Sequence, residues 1–177
     1  MSTSHNTVTL EDARRIIAAA TKKAEEIKQP MNIAVVCAGG HLLAFERMHG
    51  AWIGSVDIAQ KKAWTSRAFD IETGTLGTLS QSGDQFFGIH ASNDGKVMIF
   101  AGGVPIKQDG KVIGALGVSG GRKRPDAARL GVIFQTQRGG EGRDLIVGER
   151  ANRFSIANRR AIGHHRLFRL ARRGQRK

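Results

Sequence analysis

The chain has 177 residues, 40% of them hydrophobic and 24% charged, with a formal net charge of +13. That length and apolar content suit one domain with a packed core, with room for a tail. Taken at face value, the charge indicates a nucleic-acid or anionic-membrane partner, but its distribution excludes that for most of the chain. Through Gly121 there are 12 Lys+Arg against 11 Asp+Glu, whereas the rest carries 16 basic and 4 acidic residues.

The single cysteine, Cys37, sits in an apolar run and rules out a disulfide framework or a multi-cysteine zinc site. A buried, inert thiol is expected there. The segment from Met1 to Thr9 lacks the basic-then-apolar layout of a signal peptide. No apolar stretch approaches the roughly 20 residues of a membrane helix, so a cytoplasmic location is expected.

Thr9 and Asp12 have capping-box spacing. After them Leu10, Ala13, Ile16, Ile17, Ala20, Ala24 and Ile27 recur at helical period, and Pro30 is expected to end that helix. Asn32 to Ala38 reads as a short buried strand. Gly39-Gly40 suits a tight turn with both residues at positive φ, and His41 to Met48 reads as the returning strand. Gly54 to about Phe69 is helical, with a stripe of Val56, Ala59, Ala63 and Trp64 flanked by Lys61 and Lys62. A shorter helix is expected from Thr75 to Ser82, then a surface loop from Asp84 to Lys96. Val97 to Ala101 and Val104 to Lys107 read as strands broken by Gly102-Gly103. Asp109-Gly110 then marks a hairpin into Lys111 to Val118. Strands arriving in hairpins predict an antiparallel sheet with helices packed on it, an α+β class.

Beyond Gly121 the pattern changes. Residues 1–121 read as one domain and residues 122–177 as a basic, Arg/Gly-rich tail, irregular or frame-shifted. Arg122-Lys123-Arg124-Pro125 opens a stretch in which arginines recur among glycines and apolar residues keep no sustained period. Three readings stand for it: a basic tail for RNA or a membrane surface, a second small domain, and a shifted reading frame in a GC-rich gene. The last is the preferred one, and it makes the net charge an accident.

Four segments carry specific information: Arg47-Met48-His49-Gly50-Ala51, Asp57-Ile58-Ala59-Gln60-Lys61-Lys62-Ala63, Gly102-Gly103-Val104-Pro105-Ile106, and Gly114 to Gly121. In that order and spacing, over residues 7 to 121, the chain resembles the GlcG/HbpS-type haem-binding family. That family includes the C-terminal domain of PduO-type corrinoid adenosyltransferases. The resemblance implies a profilin-like or PAS-like fold, a five-strand antiparallel sheet with helices on both faces, assembled as a homo-oligomer. It also implies haem or a related tetrapyrrole as ligand and a final helix after the Gly-Val-Ser-Gly segment, where Arg122-Lys123-Arg124 stands instead. His49 departs from the acidic residue the family more often carries.

Candidate ligand-binding residues are Gly102, Gly103, Pro105, Lys62 and Arg47. Gly102-Gly103 allows close backbone approach and N–H groups for a carboxylate, or is simply a strand break. Lys62 pairs with an anion or forms a Schiff base if desolvated, or is a solvated helix lysine. Arg47 clamps a carboxylate, or makes a surface or cross-strand ion pair. His90, in a loop after Phe86-Phe87, is the candidate haem ligand.

Two functions compete. One is a non-enzymatic binder of haem or a related tetrapyrrole. The other is an accessory enzyme of aromatic, diol or glycolate catabolism that hydrolyses or tautomerises a small imine or semialdehyde. Lys62, Arg47 and His90 are then the catalytic candidates. Nucleic-acid and membrane partners are not expected.

Overall fold

The computed structural model describes residues 6–120 and, beyond them, the backbone of two strands, 132–139 and 142–149. The first helix, α1, spans Leu10–Glu26. Its capping box forms as expected: the Asp12 N–H donates to Thr9 Oγ1, and the Thr9 N–H donates to the Asp12 carboxylate, each at 3.1 Å. The helix ends before Pro30, by its own cap. Lys28 takes φ 53°, its N–H donates to the Glu25 carbonyl, and the Gln29 N–H donates to that of Ala24, each at 2.9 Å.

Strands β1 (Asn32–Cys37) and β2 (Leu42–Arg47) pair antiparallel. In their turn only Gly40 takes positive φ, +78°, so Gly39 needs no special conformation there. Cys37 ends half-buried rather than sealed in the core. Helix α2 follows over Gly54–Ala68 and α3 over Thr73–Thr78, two residues ahead of its expected start. The loop beyond holds single 3-10 turns at Ile89–Ala91 and Asn93–Gly95. Strands β3 (Gly103–Gln108) and β4 (Lys111–Ser119) are joined by Asp109 at φ 50° and Gly110 at φ 77°. That double positive φ is what Asp-Gly supplies.

The strand order β2-β1-β4-β3 is antiparallel throughout. Two expectations fail here. Val97 to Ala101 is not a strand. Its backbone is taken by hydroxyls of the helices instead. Thr65 Oγ1 accepts from the Met98 N–H at 3.0 Å, and Thr73 Oγ1 donates to the Phe100 carbonyl at 2.8 Å. Helix α3 also closes on the segment, because a Cβ at Gly77 would overlap the Ile99 carbonyl. A buried backbone group needs a partner, and here the helices provide it before a strand can.

Nor is the sheet antiparallel to its far edge. Val132–Gly139 forms β5, which runs parallel to β3 and registers with it only at Lys107 and Gln108. Gly142–Glu149 forms β6, antiparallel to β5. The basic segment shows no sustained strand period, yet the backbone of these two strands registers throughout, with Phe134 opposite Val147. The helix expected just after Gly121 falls outside the described residues.

The two sheet faces differ in kind. On one, α1 buries Ala13, Ile16, Ile17, Ala20 and Ala24 against Ile33 and Val35 of β1, Ile106 of β3, and Leu116 and Val118 of β4. Each large side chain there contributes roughly 1.5–3 kcal/mol. On the other, α2 meets a smaller cluster: Ala59 and Ala63 gather with Ala34, Val36 and Ala115, and the half-buried Phe45 packs against them. Helices on both faces are therefore present, but only the α1 side is a conventional apolar core. Among the described residues no helix is long and apolar enough to cross a membrane.

Candidate functional site on the α2 face

Buried polar residues gather where α2 and α3 meet the sheet and the segment leading into β3. Asn32, Ser55, Lys62, Thr65, Ser66, Thr73 and Ser119 are all withdrawn from solvent. Burying polar groups is unfavourable unless each finds a partner. Several do. Ser66 Oγ donates to the Ile71 carbonyl at 2.8 Å. Thr73 Oγ1 also accepts from the Gly103 N–H at 2.8 Å. That N–H is therefore used internally, and what Gly103 supplies is close approach. A Cβ there would stand 2.5 Å from both the Lys62 carbonyl oxygen and the Thr73 methyl.

Lys62 lies at the centre. The helix spacing Ser55, Ala59, Lys62, Ala63, Ser66 turns it inward with the alanines, and it is only 3% exposed. The solvated alternative is thereby excluded. Its Nζ donates to the Val118 carbonyl at 3.1 Å and stands 4.3 Å from the centroid of the Phe100 ring. Gly102, at φ 128°, presses against it, and a Cβ there would lie 2.9 Å from Nζ. The same glycine accepts the Val118 N–H at 2.8 Å. Neighbouring cations have acidic partners: Lys61 pairs with Asp57 at 2.9 Å and Arg67 with Asp70 at 2.7 Å. Among the described residues no carboxylate pairs with Lys62. Burial lowers its pKa from 10.5 to about 8.

Asn32 occupies the same sheet face. Strand alternation puts it in line with Ala34 and Val36, opposite Ser119 of β4. Its Nδ2 donates to the Trp52 carbonyl at 2.9 Å and reaches that of Ser119 at 3.4 Å. Its Oδ1 is buried without a hydrogen-bond partner among the described residues.

The remaining candidates are distributed more widely. Arg47 donates from Nε and one terminal nitrogen to the Ala51 carbonyl, at 3.1 and 2.9 Å. Among the described residues no carboxylate pairs with it, and it ties down the turn leading to α2. Pro105 lies on β3 opposite Ala115, where its missing N–H costs no hydrogen bond to β4. His90 is exposed on the 3-10 turn Ile89–Ala91, after Phe87, which is 67% exposed. The structure thus brings Lys62, Gly102 and Gly103 together, and leaves Arg47 in the turn before α2.

Three site residues escape a reading of the sequence. Asn32 heads an apolar run and passes for a strand boundary, although a buried amide there is itself a signal. Phe100 passes for a core strand residue, yet it is 49% exposed beside the amine. Thr73 lies just ahead of the expected start of α3. Among the described residues no group of three or more His, Cys, Asp or Glu comes together to hold a metal ion.

This arrangement has relatives. A family described as haem degrading protein HbpS-like matches residues 8–130. An uncharacterised 15.0 kDa protein from the dhaT-dhaS intergenic region of Citrobacter freundii is 38% identical over 120 residues, covering 68% of this chain and 84% of that protein. The crystal structure of Klebsiella pneumoniae protein ORFY superposes with a TM-score of 0.66 at 37% identity, covering 68% of this chain and 83% of that one. The crystal structure of a PduOC–haem complex does so with a TM-score of 0.61 at 35% identity, covering 63% and 80%. The resemblance carried by the four sequence segments is thereby borne out, and the chain belongs to the HbpS-like family.

Proposed function

We propose that this domain is an accessory protein that binds haem or a related tetrapyrrole on its α2 face, without itself being an enzyme. The observation that carries the reading is a buried cation with no acidic partner beside a half-exposed aromatic ring, Lys62 and Phe100. A tetrapyrrole offers what that pair lacks: carboxylate arms for the ammonium and a flat apolar body for the ring. The PduOC relative, crystallised with haem, supports the same ligand class. Lys62 would hold a carboxylate arm, Phe100 would face the macrocycle, and Gly102 would keep the backbone out of the way. His90 is the candidate iron ligand. The sheet with a helix on each face supports the profilin-like class for the fold.

Titrating the protein with haemin is expected to give a saturable Soret shift. A shift that grows linearly without saturation, as for haem in detergent, would remove the reading.

A second reading, an accessory enzyme acting on a small imine or semialdehyde, is favoured by one observation: burial makes the Lys62 amine available as a nucleophile near neutral pH. For the basic segment, residues 122–177, we infer a shifted reading frame, so that its charge belongs to neither function. Sequencing across codons 119–125 tests this. An extra or missing base whose repair yields a polar turn and an alanine-rich helix supports it, and an intact frame overturns it.

A further inference from the structure

We propose that Lys62 reversibly captures small neutral aldehydes as an imine at the junction of α2, β4 and the glycine pair. This rests on the α2 face being the ligand site, as the haem reading does, but not on haem. Three observations meet there. The amine is buried, held by the Val118 carbonyl at 3.1 Å, and has no carboxylate partner among the described residues. Phe100, half-exposed, has its ring centroid 4.3 Å from Nζ. Asn32 Oδ1, on the same sheet face, is buried with no hydrogen-bond partner among the described residues. A site that withdraws an amine from water and pairs it with no anion favours its neutral form, which is the nucleophile.

The step balances without an oxidant or reductant. The nitrogen lone pair adds to the carbonyl carbon, and an amine proton passes to the carbonyl oxygen. The resulting hydroxyl takes the second amine proton and leaves as water, the C–O bond breaking as the C=N bond forms, and hydrolysis reverses the step. The other cations are engaged, Arg47 with the Ala51 carbonyl, Lys61 with Asp57 and Lys96 over the Trp64 ring. The neutral fraction of the Lys62 amine is what an uncharged aldehyde meets, and the ammonium fraction is what a carboxylate meets.

Lysines of the same molecule serve as internal controls. The full-length protein is incubated at pH 7 with propionaldehyde and cyanoborohydride, which fixes any imine as a propyl-lysine, and is then mapped by peptide mass spectrometry. Lys62 is expected to be labelled about tenfold faster than the exposed lysines, because a pKa near 8 leaves far more free amine at pH 7 than the ordinary value of 10.5. Its labelling rate should level off above pH 8 while the others continue to rise. Labelling of Lys62 no faster than the exposed lysines overturns the proposal. A parallel sample with haemin separates the two readings. Protection of Lys62 places both ligands in one site; rapid labelling that haemin leaves unchanged upholds capture while removing haem from the α2 face.

Discussion

Replacing Gly117 with alanine is expected to destabilise the domain by about 3 kcal/mol or more, lowering the melting temperature by roughly 10 °C or preventing soluble expression. Gly117 lies on β4 directly beneath α2. An added Cβ would stand 2.5 Å from the Ala63 nitrogen and 3.0 Å from its methyl, and would overlap the Ala59 carbonyl oxygen as well. Two of these neighbours are helix backbone, so no rotamer change relieves the contact. The helix itself must rise from the sheet, and its alanine contacts with β1 and β4 go with it. Alanine's gain over glycine in backbone entropy, about 0.5–1 kcal/mol, does not offset that. Gly54→Ala is the matched control. Nothing lies within 4 Å of a Cβ there and its φ is ordinary, so thermal melts should show it neutral or slightly stabilised. An unchanged melting temperature for Gly117→Ala would mean that α2 does not seat on β4 through this glycine.

The second large effect has the opposite sign. Lys62→Met is expected to raise stability at pH 7 by about 1–2 kcal/mol while removing ligand affinity. Burial lowers the folded-state pKa to about 8, against 10.5 for an unperturbed lysine. Between those values the unfolded chain binds more protons than the folded one, so stability rises with pH across about 8 to 10.5. Below pH 8 the buried ammonium costs roughly 3 kcal/mol. Methionine removes that cost but leaves the Val118 carbonyl without its donor, which returns about 1 kcal/mol. Urea melts at pH 7 and pH 9.5 check the account. The wild type should be more stable at the higher pH, and the variant should have lost that difference. A variant weaker at both pH values would identify Lys62 as a structural strut. A residue whose removal stabilises the fold is one retained for another purpose.

Much of the architecture was legible because local chemistry and final structure agree. Thr9 and Asp12 cap α1 as their spacing demands, and Asp109-Gly110 turns the β3–β4 hairpin. Segments decided by tertiary partners were not legible. Val97 to Ala101 has the composition of a strand, but the hydroxyls of Thr65 and Thr73 claim its backbone. Lys62 looked like the polar flank of α2 because an inward face of serines and alanines scarcely differs in polarity from the outward one. Its position three residues after Ala59 and four before Ser66 was the available signal. The roles of single side chains also depend on tertiary partners: Gly103 gives its N–H to Thr73 and leaves no room for a Cβ beside Lys62. Arg47 holds the Ala51 carbonyl in the turn before α2, a partner that its place on β2 does not reveal.

The asymmetry of the two faces unites these points. The α1 side is closed and apolar, and its residues account for folding. The α2 side carries the buried polar cluster, an amine with no carboxylate partner among the described residues, and Asn32 Oδ1, one of the buried polar atoms without a hydrogen-bond partner there, features that impose a cost on folding. Such groups are what a ligand rewards.

The most direct test of that assignment is the haemin dissociation constant of the wild type against that of Lys62→Met, read from the Soret band at pH 7. Placement of the ligand on the α2 face predicts saturable binding by the wild type and at least about tenfold weaker binding by the variant, the scale of one lost charge-assisted contact. Equal affinity in a folded variant would contradict it and move the ligand to another surface.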